Sequence, residues 1–463
     1  MVAVSSPIYL TDDIRRIERE AGDVKPPLME RAGAAAADVA ARLASDRQKD
    51  VLVLAGPGNN GGDAKIVAGR LKEQFFRVTL LDKPQVPEDK PWALIVDGLF
   101  GIGLTRELEG DYARLVDYVN RQRCPVLALD IPSGLHSDSG RVMGRAVRAT
   151  HTITFIGLKP GLLTLDGPDY CGELVVADLG LPANKANAWI AAPQLFQNAL
   201  KARPRNFHKG MAGSLGILGG ATGMSGAALL AGRAALKLGA GRVYVGLLDA
   251  TLPVDPTAPE LMLRHADDAL GQDLNALVVG PGLGQSERAE TLVGAALASD
   301  LPCVLDADAL NLISENEDLR HACARRHAET IVTPHPAEAA RLLAENTAAV
   351  QADRVKAARA LRENLNAHVV LKGNGSILAA RDGHWFINTS GNPGMASAGM
   401  GDVLAGMLGA LLAQGYTGET ALVLGTHLHG LAADELAKGG VGPIGITASE
   451  LTDAARRLWN QWL

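Results

Sequence analysis

The stretch Gly391-Asn392-Pro393-Gly394-Met395-Ala396-Ser397-Ala398-Gly399-Met400-Gly401-Asp402 runs directly into Val403-Leu404-Ala405-Gly406-Met407-Leu408-Gly409-Ala410-Leu411-Leu412, which reads as a buried helix. A glycine-rich loop ahead of a helix presents free backbone N–H groups. Together with the positive end of the helix dipole, these make an anion site. The small residues Gly394, Ala396, Ser397, Ala398, Gly399 and Gly401 let a phosphate approach the backbone closely. Asp402 stands at the mouth of that site, and two readings are open. It is the helix N-cap. Or it is a base that takes a proton from a substrate hydroxyl while the N–H groups hold the phosphoryl group in transfer.

The rest of the second half repeats one pattern, a short apolar strand emptying into a polar or glycine loop. Ser214 to Leu218 leads to Gly219-Gly220-Ala221-Thr222-Gly223, and Leu277-Val278-Val279 to Gly280-Pro281-Gly282-Leu283-Gly284. Val304-Leu305 leads to Asp306-Ala307-Asp308, Ile331-Val332 to Thr333-Pro334-His335-Pro336, and Val369-Val370-Leu371 to Lys372-Gly373-Asn374-Gly375-Ser376. In an open parallel sheet such loops converge on one crevice. Lys372 and the amides of Gly373 to Ser376 suit nucleotide phosphates. His335, between two prolines, is either a rigid donor to a substrate or a satisfied turn histidine. Asp306 and Asp308 read as helix caps in preference to magnesium ligands. His427 and His429, two apart on a helix, do not share a face and make no metal pair.

The first half is organised alike. Thr11 reads as the cap of a first helix with early acids, and a second helix is expected from Pro26-Pro27 to Leu43. Val51 to Leu54 is a strand buried on both faces. It feeds Gly56-Pro57-Gly58-Asn59-Asn60-Gly61-Gly62-Asp63 and then a helix to about Lys72. The amides and acid of this loop suit a monovalent cation or a ribose, or form a polar turn. Further strands end in Asp97, ahead of Gly98 to Arg106, and in Asp130, ahead of Ile131-Pro132-Ser133-Gly134. The strand from Thr152 to Phe155 leads to Lys159, a phosphate partner or proton donor, or else a solvated surface lysine. Glu173 to Ala177 is expected to close the sheet. Strand patterning stops from about Leu181 to Phe207, where residues 191–207 read as a linker between a domain of 1–190 and one of 208–463.

Composition sets the limits. A chain of 463 residues is too long for one ordinary core. With 47% apolar and 21% charged residues and a net charge of −6, it is a globular protein with no call for a nucleic-acid or membrane partner. The beginning of the chain lacks a basic apolar leader. Cys124, Cys171, Cys303 and Cys323 are scattered, which indicates neither a zinc site nor a disulfide framework and fits a reducing cytoplasm. Helices rich in Gly and Ala suit close packing, so a homo-oligomer is expected.

Taken together, these motifs carry a resemblance. Asn59 to Asp63, Val96-Asp97-Gly98-Leu99-Phe100-Gly101 and Asp130 to Gly134 resemble the NAD(P)H-hydrate epimerase family. His208-Lys209-Gly210, Gly280 to Gly284, Asp306 to Asn311, Thr333 to Pro336 and Gly391 to Asp402 resemble the ADP-dependent NAD(P)H-hydrate dehydratases, which are ribokinase-like. The resemblance implies an α/β protein, a Rossmann-like three-layer domain followed by a ribokinase-like domain. It implies repair of hydrated NADH and NADPH: interconversion of the R and S hydrates, then dehydration of the S form with ADP as co-substrate, giving AMP and phosphate. It implies that Asn59, Asn60, Gly61, Gly62, Asp63, Gly101, Ile102, Gly103, Leu104, Thr105, Arg106, Glu107 and Asp130 contact the hydrate in the first domain, with Asp130 or Lys159 moving a proton. Potassium would be held by Asn60, Asp97 and Ser133. In the second domain Ala227, Gly282 or Gly284, His335 and Asp402 would contact the hydrate. Lys372, Gly373, Asn374, Gly375, Ser376 and Gly401 would bind the nucleotide, with magnesium, and Asp402 would be catalytic. Two departures stand out. Ala64-Lys65 follows Asp63 where the family has glycine, and Asn374 to Ser376 replaces an expected alanine and threonine.

Two rivals use the same loops. A small-molecule kinase would phosphorylate an alcohol, and a sensing module in the first half would bind without turnover.

Overall fold

The computed structural model describes residues 6–182, 186–249 and 252–463. Parts of the N-terminal segment and of the Ala- and Asn-rich stretch read from the sequence therefore lie outside the described residues. The chain divides into two compact units, Met1–Ile190 and Ala191–Leu463.

The first unit is built on six parallel strands: β1 (Asp50–Ala55), β2 (Val78–Leu81), β3 (Trp92–Gly98), β4 (Val126–Leu129), β5 (His151–Phe155) and β6 (Glu173–Ala177). Their order is β2-β1-β3-β4-β5-β6. Every residue of β3 and β4 is buried, as apolar runs sandwiched between two helix layers must be. One layer of core packs Ile14, Ile17, Ala36, Ala40 and Val67 against one sheet face. The other packs Leu115, Val116 and Val119 against the opposite face. The chain leaves β1 in one direction and β3 in the other, so the switch point lies between their carboxyl ends. The helix Asn59–Glu73 begins inside the expected glycine loop, with Asn59 to Asp63 as its first residues. Glycine at 61 permits this, because a Cβ there would sit 1.8 Å from the carbonyl oxygen of Gly56. Thr11 is the first helical residue, not the cap; its N–H and hydroxyl both donate to Asp138. A short strand β7 (Ala188–Ile190) ends the unit.

The second unit holds β8 (Ser214–Gly219), β9 (Arg242–Leu247), β10 (Met262–His265), β11 (Ala276–Val279), β12 (Cys303–Leu305), β13 (Thr330–Val332), β14 (His368–Leu371), β15 (Ser376–Ala379) and β16 (Trp385–Asn388). Within the unit they run in the order β10-β9-β8-β11-β12-β13-β14-β15-β16. All are parallel up to β14, and β15 and β16 are antiparallel. Residues 191–207, expected as a linker, belong to this compact unit. Phe196 is buried there, its ring 5.5 Å from that of Trp462. The helix Met400–Ala413 crosses the helix Ser225–Lys237 so closely that a Cβ on Gly406 would lie 2.1 Å from the carbonyl oxygen of Ala231. No helix among the described residues is long and apolar enough to cross a membrane.

Candidate active sites

At the carboxyl ends of β1, β3 and β4 the first unit holds a cavity of about 520 Å³. Asn59, Asn60, Asp63, Gly101, Ile102, Gly103, Leu104 and Asp130 line it, together with Arg15 and Glu18 from the helix Thr11–Ala21. Thr105, Arg106 and Glu107 are exposed and do not line it. Ala64 is buried and turns its methyl towards Gly98, while Lys65 faces solvent, so neither member of the Ala64-Lys65 departure reaches the cavity.

Lys159 is fully buried, which overturns the solvated-lysine reading. Its ammonium donates to Asp130 Oδ1 at 2.6 Å, Thr154 Oγ1 at 2.8 Å and the Phe155 carbonyl at 2.8 Å, so all three of its protons are engaged. Asp130 itself sits at φ 66. A non-glycine residue in that region carries strain that persists only where its surroundings hold it, commonly at a functional site.

Behind this pair lies a buried polar knot. Asp97 is wholly buried and accepts from the Ser133 N–H at 2.8 Å and the Ser133 hydroxyl at 2.7 Å. Burial pushes its carboxyl up to about 6, opposed by the Ser133 bonds. Asn60 donates to the Leu129 carbonyl at 3.1 Å, and its Oδ1 is buried without a partner. Asn60, Asp97 and Ser133 are an all-oxygen donor set that could hold a hard cation, and the unpartnered Asn60 Oδ1 is the donor left over for it.

In the second unit the helix Met400–Ala413 is capped by Gly399 at φ 87. Asp402 is therefore the third helical residue and makes no capping hydrogen bond, which overturns its N-cap reading. Burial, with Asp306 and Asp308 nearby, raises its carboxyl to about 6, against the pull of Lys372. Gly401 abuts the ion pair between Lys372 and Asp306: a Cβ on it would lie 3.3 Å from Lys372 Nζ. Lys372 donates to Asp306 at 2.9 Å, and Asp306 also accepts from the Thr333 hydroxyl at 2.7 Å. Asp308 accepts from the Gly284 N–H at 2.8 Å. Neither aspartate is the cap that the sequence reading favoured; the cap of the helix Asp308–Glu315 is Ala307. His335 is the cap of the helix Pro336–Leu343: its Nδ1 accepts from the N–H groups of Ala337 and Glu338, and its Nε2 lies 3.2 Å from Glu338. Burial and the charge of Lys372 lower its pKa. Ala227 lies on the first turn of the helix Ser225–Lys237, within contact of Gly282.

Sequence reading missed two charged groups here. Arg354 is 1% exposed, and its guanidinium donates to the carbonyls of Leu371, Lys372 and Asn374, bracing the loop Lys372–Ser376 from behind. Glu18 reaches the first cavity. For Arg354 the signal was a charge on a helix's buried stripe, four residues before Ala358 and seven before Leu361; Glu18, exposed on the helix Thr11–Ala21, carried no such signal.

The two units thus define a class: a Rossmann-like domain with a cavity at its switch point, followed by a ribokinase-like domain with a glycine loop and an aspartate on the first turn of the helix after it. Comparisons with known proteins narrow it. The family model described as NAD(P)H-hydrate dehydratase matches residues 215–457, and that of the YjeF-related protein N-terminus matches 25–92 and 82–161. The bifunctional NAD(P)H-hydrate repair enzyme of Escherichia coli K12 is 39% identical over 504 aligned positions, covering 99% of this chain and 95% of that one. The ADP-dependent (S)-NAD(P)H-hydrate dehydratase of Neisseria meningitidis is 46% identical over 271 positions, 58% of this chain and 91% of that one. The crystal structure of the ADP/ATP-dependent NAD(P)H-hydrate dehydratase from Bacillus subtilis, co-crystallised with ATP and Mg2+, aligns with a TM-score of 0.52 at 28% identity, over 59% of this chain and 98% of that one. The chain belongs to the family of bifunctional NAD(P)H-hydrate repair enzymes.

Proposed function

We propose that the first unit interconverts the R and S hydrates of NADH and NADPH, and that the second dehydrates the S form with ADP, releasing AMP and phosphate. The observation that carries this reading is Asp402. Its carboxyl is poised near 6 beside the free N–H groups of a helix start and against the Lys372–Asp306 pair. A base of that strength is ionised at neutral pH and basic enough to draw a proton from a hydroxyl held at the anion loop. The hydrate carries such a hydroxyl where water added. Asp402 takes its proton, the oxygen receives the terminal phosphoryl group of ADP, and phosphate leaves as the neighbouring ring carbon gives up a proton to solvent and the ring double bond returns. Gly401 and the Lys372–Ser376 loop hold the nucleotide, and Ala227, Gly282, Gly284 and His335 surround the hydrate. Magnesium, when bound, neutralises charge on the nucleotide phosphates, and the carboxylates of Asp306 and Asp308 are the oxygen donors that would hold it. In the first unit Asn60, Asp97 and Ser133 would hold potassium, whose charge compensates the buried Asp97. We also read the chain as a cytoplasmic homo-oligomer, on its scattered free cysteines and small-residue helices.

The test is a mixture of both NADH-hydrate epimers with ADP and the purified chain, followed by the return of reduced-nicotinamide absorbance. Full recovery is expected. Recovery that stops at the S form removes the epimerase, and no recovery with ADP or ATP removes the dehydratase and favours a kinase for another alcohol.

The bracing role of Arg354 makes a separate prediction. Arg354→Met leaves two loop carbonyls and that of Leu371 at the end of β14 without their donor, and KM for ADP is expected to rise about tenfold while R-to-S interconversion stays unchanged. Steady-state kinetics with varied ADP check it.

A further inference from the structure

We propose that Asp63 is a second catalytic residue of the first unit, the proton donor that works with the Asp130–Lys159 pair on the hydrate carbon. This rests on the epimerase reading above and assigns Asp63 a step beyond contact with the substrate.

Asp63 is 7% exposed and lines the cavity, yet its carboxyl has no hydrogen bond or ion pair among the described residues. A buried, unpartnered acid aimed into a cavity is costly unless it is neutral or in use. It enters from the helix that follows β1, whereas Asp130 enters from the loop that follows β4. β3 lies between those strands, so the two acids enter the cavity from either side of β3. Their surroundings differ. Asp130 has the ammonium of Lys159 at 2.6 Å. Asp63 faces Glu18 and Arg15 from the helix Thr11–Ala21 and Asp130 from the β4 loop, while the helix Leu28–Leu43 offers only Leu28, Met29 and Ala32. Burial first, then Asp130 and Glu18, push the Asp63 carboxyl up to about 8. One acid kept protonated and one carboxylate held by a cation, in one cavity, is the arrangement in which environment divides acid from base.

The chemistry asks for such a division. The hydrate carbon bears both a hydroxyl and the ring nitrogen. Asp130 takes the hydroxyl proton, and the carbon–oxygen bond becomes a carbonyl. The carbon–nitrogen bond breaks with its electron pair going to nitrogen, which takes the proton of Asp63. Rotation about the adjacent carbon–carbon bond presents the other carbonyl face. On closure nitrogen re-forms its bond to carbon, its proton returns to Asp63, and the oxygen recovers a proton from Asp130. No atom or electron is gained or lost, and both acids end as they began.

The experiment uses the full chain and purified (R)-NADH hydrate, with the two epimers separated chromatographically over time. Asp63→Asn is expected to lower kcat at least about 100-fold with KM changed less than about threefold. Asp63→Glu, which keeps the acid, is expected to recover part of the rate. Wild-type kcat/KM is expected to fall above pH 8, where Asp63 loses its proton, and that fall is absent in Asp63→Asn. Retention of kcat within about twofold in Asp63→Asn, or a loss carried by KM alone, overturns the proposal while leaving the epimerase standing. So does loss of turnover in both variants with lowered unfolding temperature, which assigns Asp63 to structure. A wild-type chain that does not speed the interconversion over its uncatalysed rate overturns the epimerase reading and this proposal with it.

Discussion

Asp402→Asn is expected to lower dehydration of the S hydrate about 10³-fold while KM for ADP changes little, since positioned proton transfer commonly contributes factors of 10² to 10⁴. Asparagine keeps the shape of the side chain and the helix start, which Gly399 caps without help from residue 402. What it removes is the proton acceptor. The pH profile follows from the same carboxyl. Burial and the neighbouring acids hold it near 6, so kcat/KM for the S hydrate should fall tenfold per pH unit below about 6 and level off above it. Initial rates with purified S hydrate, from pH 5 to 8, read both effects. An Asp402→Asn enzyme at the wild-type rate would mean that the anion loop works without this base.

Lys159→Met carries the second large effect, and on two properties at once. The wild-type ammonium is wholly buried, with Asp130, Thr154 and Phe155 as its three acceptors. Methionine fills the space but leaves Asp130, its side chain 13% exposed at the cavity, without its cation. Breaking a fully buried pair from one side costs about 3–5 kcal/mol, and the partial exposure of Asp130 reduces this, so the melting temperature of the first unit falls by about 5 °C. Interconversion of the hydrates falls at least about 100-fold, because the base is no longer held in place by its partner. The double variant Lys159→Met/Asp130→Asn should recover stability without recovering turnover, which separates the two roles. Calorimetry and epimer separation together decide it. A single variant with an unchanged unfolding temperature would show that the pair is not a net prop of the fold.

Much of the architecture was legible. Runs such as Val51–Leu54 and Leu277–Val279 could only be strands buried on both faces, and the loops after them had to meet at the carboxyl ends of a parallel sheet. The final hairpin of β15 and β16 escaped notice, because strands of four residues after a glycine turn carry little periodicity. The helix Thr11–Ala21 starts one residue before the expected position, since the Thr11 hydroxyl donates to Asp138, distant in sequence, in place of capping the helix. The site was legible as a set of loops but not as a set of states. Lys159 looked the same in sequence whether solvated or sealed, and Asp402 whether cap or base. Asp306 and Asp308 looked like caps because Asp before a helix commonly is one; here they are claimed by Lys372 and Thr333 and by the N–H of Gly284.

By itself the sequence determined the two α/β halves, the glycine loops and the acids that lie beside them, because hydrophobic period and glycine placement are local properties of the chain. Only the tertiary structure decided which acid holds a proton, which is paired and which oxygen lacks a partner. Burial and neighbouring charge set those states, and both come from residues far apart in sequence: Asp63 with Glu18 and Asp130, Asp97 with Ser133, Asp402 with Asp306 and Lys372.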